Sequence, residues 1–450
     1  MKTPIYSFLK KYSASDTVRL HMPGHKGNGP LGVEALDITE VRGADSLFEA
    51  DGIIKESESV ASEIFGAHTF YSTEGSSLSI RAMVYLAALY ARALGRAPKI
   101  VSARNCHRSF LSALALVDLE VDWLDFAGEG SYLTAGDVRG AFADYLGRTP
   151  TECLPIALYV TSPDYLGNMQ DIGALAALCH ERGMLLLVDN AHGAYLKLLE
   201  KSLHPVDLGA DMCADSAHKT LEALTGAGYL HISKNAPVML AENAKRAMSV
   251  FASTSPSYLI LASLDLLNEK LLGSYRDELR DFIRKLDICK EMLTNKGVKL
   301  VGDEPMKITL MPKSMGYSGN MLADVLRERG IECEFSDEDF VTLMPTPSSR
   351  ADITVATEVI LGLKPRARKN SEASAPVLRE KPERVMSVRE AILSVPERVP
   401  VKQALGRVVC DTALACPPAV PILMPGERVG SDAVAVLEYY GIDSLLAVRE

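Results

Sequence analysis

Four short apolar runs, at residues 99–103, 156–161, 185–189 and 229–232, alternate with segments of helical length between about Gly52 and Ser263. Each run is too short to be a buried helix and too uniformly apolar to be half-exposed, so it reads as a strand covered on both faces. Repeated strand and helix in this order predicts an α/β fold whose large domain is a mostly parallel sheet with helices on both sides. In open sheets of this kind, chemistry gathers beyond the carboxyl ends of the strands. What stands at those ends is therefore the question to put to this chain.

An apolar run ending near Cys213 delivers Ser216, His218 and Lys219 together, followed by Thr220 and Leu221. A lysine in a dry pocket loses its proton near neutral pH and can form a Schiff base with the aldehyde of pyridoxal phosphate. The run 184–188 ends in Asp189, followed by Asn190, Ala191, His192 and Gly193. A carboxylate there can keep a pyridinium nitrogen protonated, which makes the ring an electron sink. Gly75, Ser76 and Ser77 precede a strongly helical stretch, so a tight turn and free helix N–H groups form a seat for a phosphate. His107 follows the strand at 99–103 and offers an imidazole that can stack on a pyridine ring. Taken singly, each also reads as an ordinary loop lysine, capping aspartate, serine N-cap or polar loop histidine. Their order along one sheet favours the joint reading.

These motifs, with the segment from His21 through His25 and Lys26 to Gly27, resemble the bacterial ornithine/lysine/arginine decarboxylases. The likeness runs strongly from about His21 to Asp265 and returns at 406–408 and 417–427. It implies the pyridoxal-phosphate-dependent transferase fold of type I, with small α/β C-terminal domains beside the large one. The implied reaction is decarboxylation of a basic amino acid in polyamine biosynthesis, with arginine to agmatine first and lysine or ornithine close behind. Lys219 then holds the cofactor, Asp189 meets its ring nitrogen and His107 its ring face. Ser76, Ser77, Ser216 and His218 anchor the phosphate with the Gly75 backbone, while Ala191 and His192 complete the cradle. The resemblance also implies a homodimer with the active site at the subunit interface. Thr254, in the hydroxyl-rich run 253–257, reaches the neighbour's phosphate, and His25 and Lys26 contact cofactor or substrate. Glu334, in an acidic stretch, is the candidate for the substrate's distal cation. Another pyridoxal enzyme, an aminotransferase or lyase, is the alternative, and a non-catalytic relative is a third.

The pattern departs from the family at Asn190, where Glu is frequent, at Glu222, where Pro is frequent, and at Ala419, where Gly is frequent. None of these removes a group from the chemistry. The chain also reads as a short form without the extra N-terminal domain of the acid-stress enzymes.

A net charge of −10 and the absence of a basic stripe argue against a nucleic-acid partner. The eight cysteines form neither a Cys-x-x-Cys pair nor a cluster at metal-ligand spacing, so no metal is expected and a reducing cytoplasm fits. Neither a signal segment nor an 18-residue apolar stretch occurs, which predicts a cytoplasmic protein without a membrane partner. The expected organisation is an arm at 1–50, a large cofactor-binding domain at 51–263, a small α/β domain at 264–363, a linker at 364–386 and a C-terminal domain at 387–450.

Overall fold

The computed structural model describes residues 3–124, 134–349, 353–366, 376, 378, 381–412 and 421–450. Ala419 and part of the expected linker lie outside the described residues. The large sheet has seven strands: β1 (His68–Ser72), β2 (Lys99–Ser102), β3 (Glu120–Trp123), β4 (Ala157–Thr161), β5 (Leu185–Asp189), β6 (Met212–Asp215) and β7 (Gly228–Ile232). Their spatial order is β1-β7-β6-β5-β4-β2-β3. The five strands from β3 to β6 are parallel, whereas β7 runs antiparallel to both β6 and β1.

Helices α1 (Pro4–Ser13), α2 (Ile53–Phe65), α3 (Gly75–Ala93), α4 (Arg108–Val117), α5 (Ala135–Arg148), α6 (Ile172–His180) and α7 (Ala217–Thr220) accompany these strands. Side chains alternate across a strand, so Leu185 and Leu187 pack with Leu86 of α3 and Phe110 of α4, while Leu186 and Val188 pack with Phe142 of α5 and Leu175 of α6. Each such leucine contributes about 1.5–3 kcal/mol by leaving water. That two-sided burial is why β5 is apolar until Asp189.

The arm is anchored by α1, whose Ile5 and Leu9 are buried and whose Tyr6 N–H donates to Asp265 Oδ2 at 3.0 Å. Beyond it, Val18, Leu20, Met22 and Leu31 are exposed. Two long helices, Tyr258–Leu272 and Tyr275–Asn295, follow one another across a short break. The break falls at Gly273, the poorest helix former in that stretch.

A second, antiparallel sheet follows, in the order β10-β11-β9-β8, from β8 (Lys299–Val301), β9 (Ile308–Met311), β10 (Phe335–Ser336) and β11 (Val341–Leu343). The C-terminal unit holds a two-stranded sheet of β12 (Pro396–Pro400) and β13 (Ser444–Val448) around its own apolar cluster. Among the described residues, no helix is long and apolar enough to cross a membrane.

Candidate active site

Strands β4, β5 and β6 end side by side, with Thr161 in register with Asp189 and Asp189 with Ala214. Asp189, buried at the end of β5, accepts from Tyr159 Oη at 3.2 Å and from the Ala191 N–H at 3.1 Å. Ala191 thus orients the carboxylate through its backbone. Lys219 lies in α7 just beyond β6, and its Nζ is 3.1 Å from His192 Nε2. Burial lowers the proton affinity of Lys219, against the opposing pull of Asp189 and Glu334. His192 is buried, and burial together with Lys307 and Lys219 drives its pKa well below the usual imidazole value.

The start of α3 is built on a tight glycine turn. Gly75 takes φ +66°, and its N–H donates to Gly226 O at 2.7 Å. A Cβ on the facing Gly228 would lie 2.8 Å from the Gly75 carbonyl carbon, so only glycine allows this approach. The N-cap Glu74 makes no side-chain cap bond to the helix, which leaves the α3 dipole end uncovered by that group. Ser216 Oγ donates to Ser76 Oγ at 2.8 Å, and Ser109 Oγ donates to Ser77 Oγ at 2.8 Å. The His218 ring bonds Ala227 O through Nδ1 at 2.8 Å, with its Cε1 edge towards Gly75. Burial lowers the His218 pKa.

His107 is the N-cap of α4, where its Nδ1 accepts from the Ser109 N–H at 3.3 Å. The residue as a whole is exposed in the single chain, while its ring senses Asp189, Lys219 and Arg81. Desolvation lowers its pKa, and Asp189 opposes that shift, so the two groups sense one another.

The other expected contacts stand apart. His25 bonds Asp37 at 3.2 Å and the Gly27 N–H at 3.0 Å, and Lys26 bonds His21 O, so the described partners of both lie within the arm. Thr254 is exposed, in a loop tied to the start of α3 by the Ser253 N–H donating to Glu74 Oε1 at 2.7 Å. Glu334 accepts from Tyr165 Oη at 3.1 Å, and the Tyr165 ring meets His192 edge-on at 5.2 Å between centroids. Glu334 is thereby brought to the Lys219 pocket. Asn190, Glu222 and their neighbours keep ordinary partners: Asn190 Nδ2 donates to Asp215 Oδ1 at 2.8 Å, and Ser348 Oγ donates to Glu222 Oε1 at 2.6 Å.

Sequence reasoning missed Tyr159, Tyr165 and Lys307. The first lies within β4 and the second just past its end, so the strand-end rule could have found Tyr165. Lys307, 4 % exposed beside β9, donates to Asp164 O at 2.7 Å and interacts with Lys219 and Glu334. No local pattern signals it, because a different sheet carries it to the site.

The structure of lysine decarboxylase A from Pseudomonas aeruginosa superposes with a TM-score of 0.80 at 18 % identity, covering 99 % of this chain and 80 % of that one. Constitutive lysine decarboxylase of Escherichia coli gives 0.73 at 19 % identity, over 99 % and 80 %. These likenesses show the fold of the type-I pyridoxal-phosphate enzymes. A model of the family described as "Orn/Lys/Arg decarboxylase, major domain" matches residues 3–301, and one described as "Orn/Lys/Arg decarboxylase, C-terminal domain" matches 371–444. The chain belongs to the Orn/Lys/Arg decarboxylase family. Among its curated relatives, an arginine decarboxylase of Bacillus subtilis is 27 % identical over 100 % of this chain and 95 % of its own length. One from Halalkalibacterium halodurans is 29 % identical over 97 % and 93 %.

Proposed function

We propose that the chain decarboxylates arginine to agmatine, with pyridoxal 5'-phosphate as cofactor, in a homodimer. The observation that carries the cofactor is the convergence of Lys219, whose proton affinity burial lowers, a buried Asp189 and the start of α3 at the ends of neighbouring strands. The donor set fits the group: Lys219 would meet its aldehyde, Asp189 its ring nitrogen, His107 its ring face, and Ser76, Ser77, Ser216 and His218 its phosphate. When bound, pyridoxal phosphate supplies a sink for the electron pair left at Cα as CO₂ departs.

The protein's own groups do the rest. Asp189, held by Tyr159 and Ala191, stays oriented towards the ring nitrogen and keeps a proton there. Lys219 Nζ carries a proton between His192 Nε2 and the substrate's Cα. Glu334 receives the substrate's distal cation, and a guanidinium matches a carboxylate through two parallel hydrogen bonds. Arginine is favoured over lysine and ornithine because four relatives matched along more than nine-tenths of their length are named arginine decarboxylase. The exposed apolar side chains of the arm support a second copy covering them, which would bring His25, Lys26 and Thr254 to the neighbouring site.

The test is an absorbance spectrum of the purified protein with pyridoxal phosphate, recorded with CO₂ release on adding arginine, lysine or ornithine. A visible band that responds to arginine with CO₂ is expected, and Lys219→Ala should abolish both. Release from lysine alone would reassign the substrate, and no band at all would remove the cofactor assignment.

A further inference from the structure

The C-terminal unit does not stand aside from the large sheet. At its Gly426 turn, Glu427 reaches Arg104 through a two-pronged ion pair, Nη1 to Oε1 at 2.6 Å and Nη2 to Oε2 at 2.8 Å. The two side chains are 13 % and 3 % exposed, so this is a buried pair. Glu427 is itself fixed, because Oε2 also accepts from the Met424 N–H at 2.8 Å. The turn behind it has no slack: Gly426 takes φ +92°, and a Cβ there would lie 2.4 Å from Met386 O.

Arg104 opens the turn that ends in His107, and its carbonyl accepts from the Cys106 N–H at 2.8 Å. His107 in turn bonds Ser109, whose Oγ donates to Ser77 at the start of α3. A continuous run of contacts thus joins Glu427 to the ring-facing histidine and the phosphate seat. The same unit grips the surrounding frame: Arg384 donates to Val121 O of β3 at 2.8 Å, Arg389 bonds Ala115 O of α4, and Val388 and Met424 are buried against Phe110 and Leu114. On its other side, Tyr439 and Tyr440 both donate to Asp339 at 2.8 Å, in the loop that follows β10 and Glu334.

We propose that the C-terminal unit is a positioning element for the reaction, and that Glu427 acts in it by holding Arg104 and so presenting His107 to the cofactor ring. The inference rests on the assignment of His107 to the ring face. Glu427 touches neither substrate nor cofactor. It works by removing the freedom of the 104–107 turn, and a misplacement of about 1 Å at a catalytic group can cost about 100-fold in rate.

The experiment compares the cofactor-loaded wild type with Glu427→Gln, Glu427→Asp and, as a control on the same unit, Arg428→Gln, which breaks the exposed pair with Glu383. Steady-state CO₂ release, the visible circular dichroism of the bound cofactor and the melting temperature are recorded for each. Glu427→Gln should lower kcat by about 100-fold with KM for the amino acid within about threefold, and should weaken the dichroic band. Glu427→Asp keeps the charge but shortens the reach, and should fold and show the same changes to a smaller degree. Arg428→Gln should leave kcat and the band unchanged. Wild-type kcat and dichroism in the folded Glu427 variants would overturn the proposal, even if their melting temperature fell. A wild type that gives no visible band and no CO₂ would instead overturn the functional reading beneath it.

Discussion

Lys219 Nζ and His192 Nε2 lie 3.1 Å apart, so the reactive amine of the pocket shares a hydrogen bond with an imidazole held neutral by its surroundings. A neutral imidazole offers a lone pair at Nε2 to the amine and so orients it. This hydrogen-bond acceptor stands against the amine before substrate arrives.

Replacing this acceptor should slow chemistry without emptying the site. His192→Phe keeps a ring against Tyr165 and should lower kcat by about 10²-fold, in the range of a general acid–base group. Because burial, Lys307 and Lys219 depress the His192 pKa, the acidic limb of the wild-type pH–rate profile should not move in the variant. Stopped-flow and steady-state assays across pH check both points, and a shifted acidic limb would refute the neutral assignment.

Tyr165 holds the Glu334 carboxylate where it acts on Lys219. Glu334→Gln should raise KM for arginine by roughly 10- to 100-fold, the loss of about 1.5–3 kcal/mol for a hydrogen bond to a charged group. Tyr165→Phe, which only releases the carboxylate, should raise it a few-fold. Competition with an uncharged analogue of equal length measures the selectivity, which should collapse in Glu334→Gln alone.

Lys307 should make the cofactor-free protein more stable in alkali. Burial, opposed by Glu304 and Asp164, pushes its pKa down from 10.5 to about 8. Between those values the unfolded chain holds the proton and the folded chain does not, so this group adds stability as pH rises, at about 1.4 kcal/mol per pH unit. Denaturant titrations from pH 8 to 10.5 should show the slope, and Lys307→Met should flatten it.

Beneath the strand ends, His204 Nε2 and His231 Nε2 face Asp215 Oδ2 at 3.0 and 3.2 Å, all fully buried. Burial alone would raise the Asp215 pKa, and the two imidazoles outweigh it, so the carboxyl stays well below the usual range. Its contribution to stability is complete above the unfolded value of 3.8 and is lost as pH falls below it. Asp215→Asn should cost about 1.5–3 kcal/mol, the range for hydrogen bonds to a charged group. The three side chains are close enough to hold a metal ion. The Val206 N–H donates to His204 Nδ1, however, which leaves the ring proton on Nε2 facing Asp215. A chelator should therefore leave the melting temperature unchanged, and a drop would reverse that tautomer.

Much of this site was legible because its groups are local. Lys219, Asp189, His107 and the Gly75 turn each sit next to a strand or helix end, and strand and helix ends are written in short-range periodicity and in glycine placement. Lys307 shows the limit, since no local pattern points to it and a different sheet carries it to the site. The antiparallel β7 was equally hidden: it is as apolar as its parallel neighbours, because both faces of the sheet are covered whatever the strand's direction.

The amino-acid order by itself determined the alternation of buried strands and helices, and with it the reactive side chains that cluster at the strand ends. Tertiary structure alone decided which distant residues complete the pocket. Lys307 comes from beside the second sheet, and Glu427 lies 323 positions from the arginine it holds. Contacts of that span have no periodic signature, because they are set by how separate apolar faces pack and by the buried charges that must find partners once water is gone.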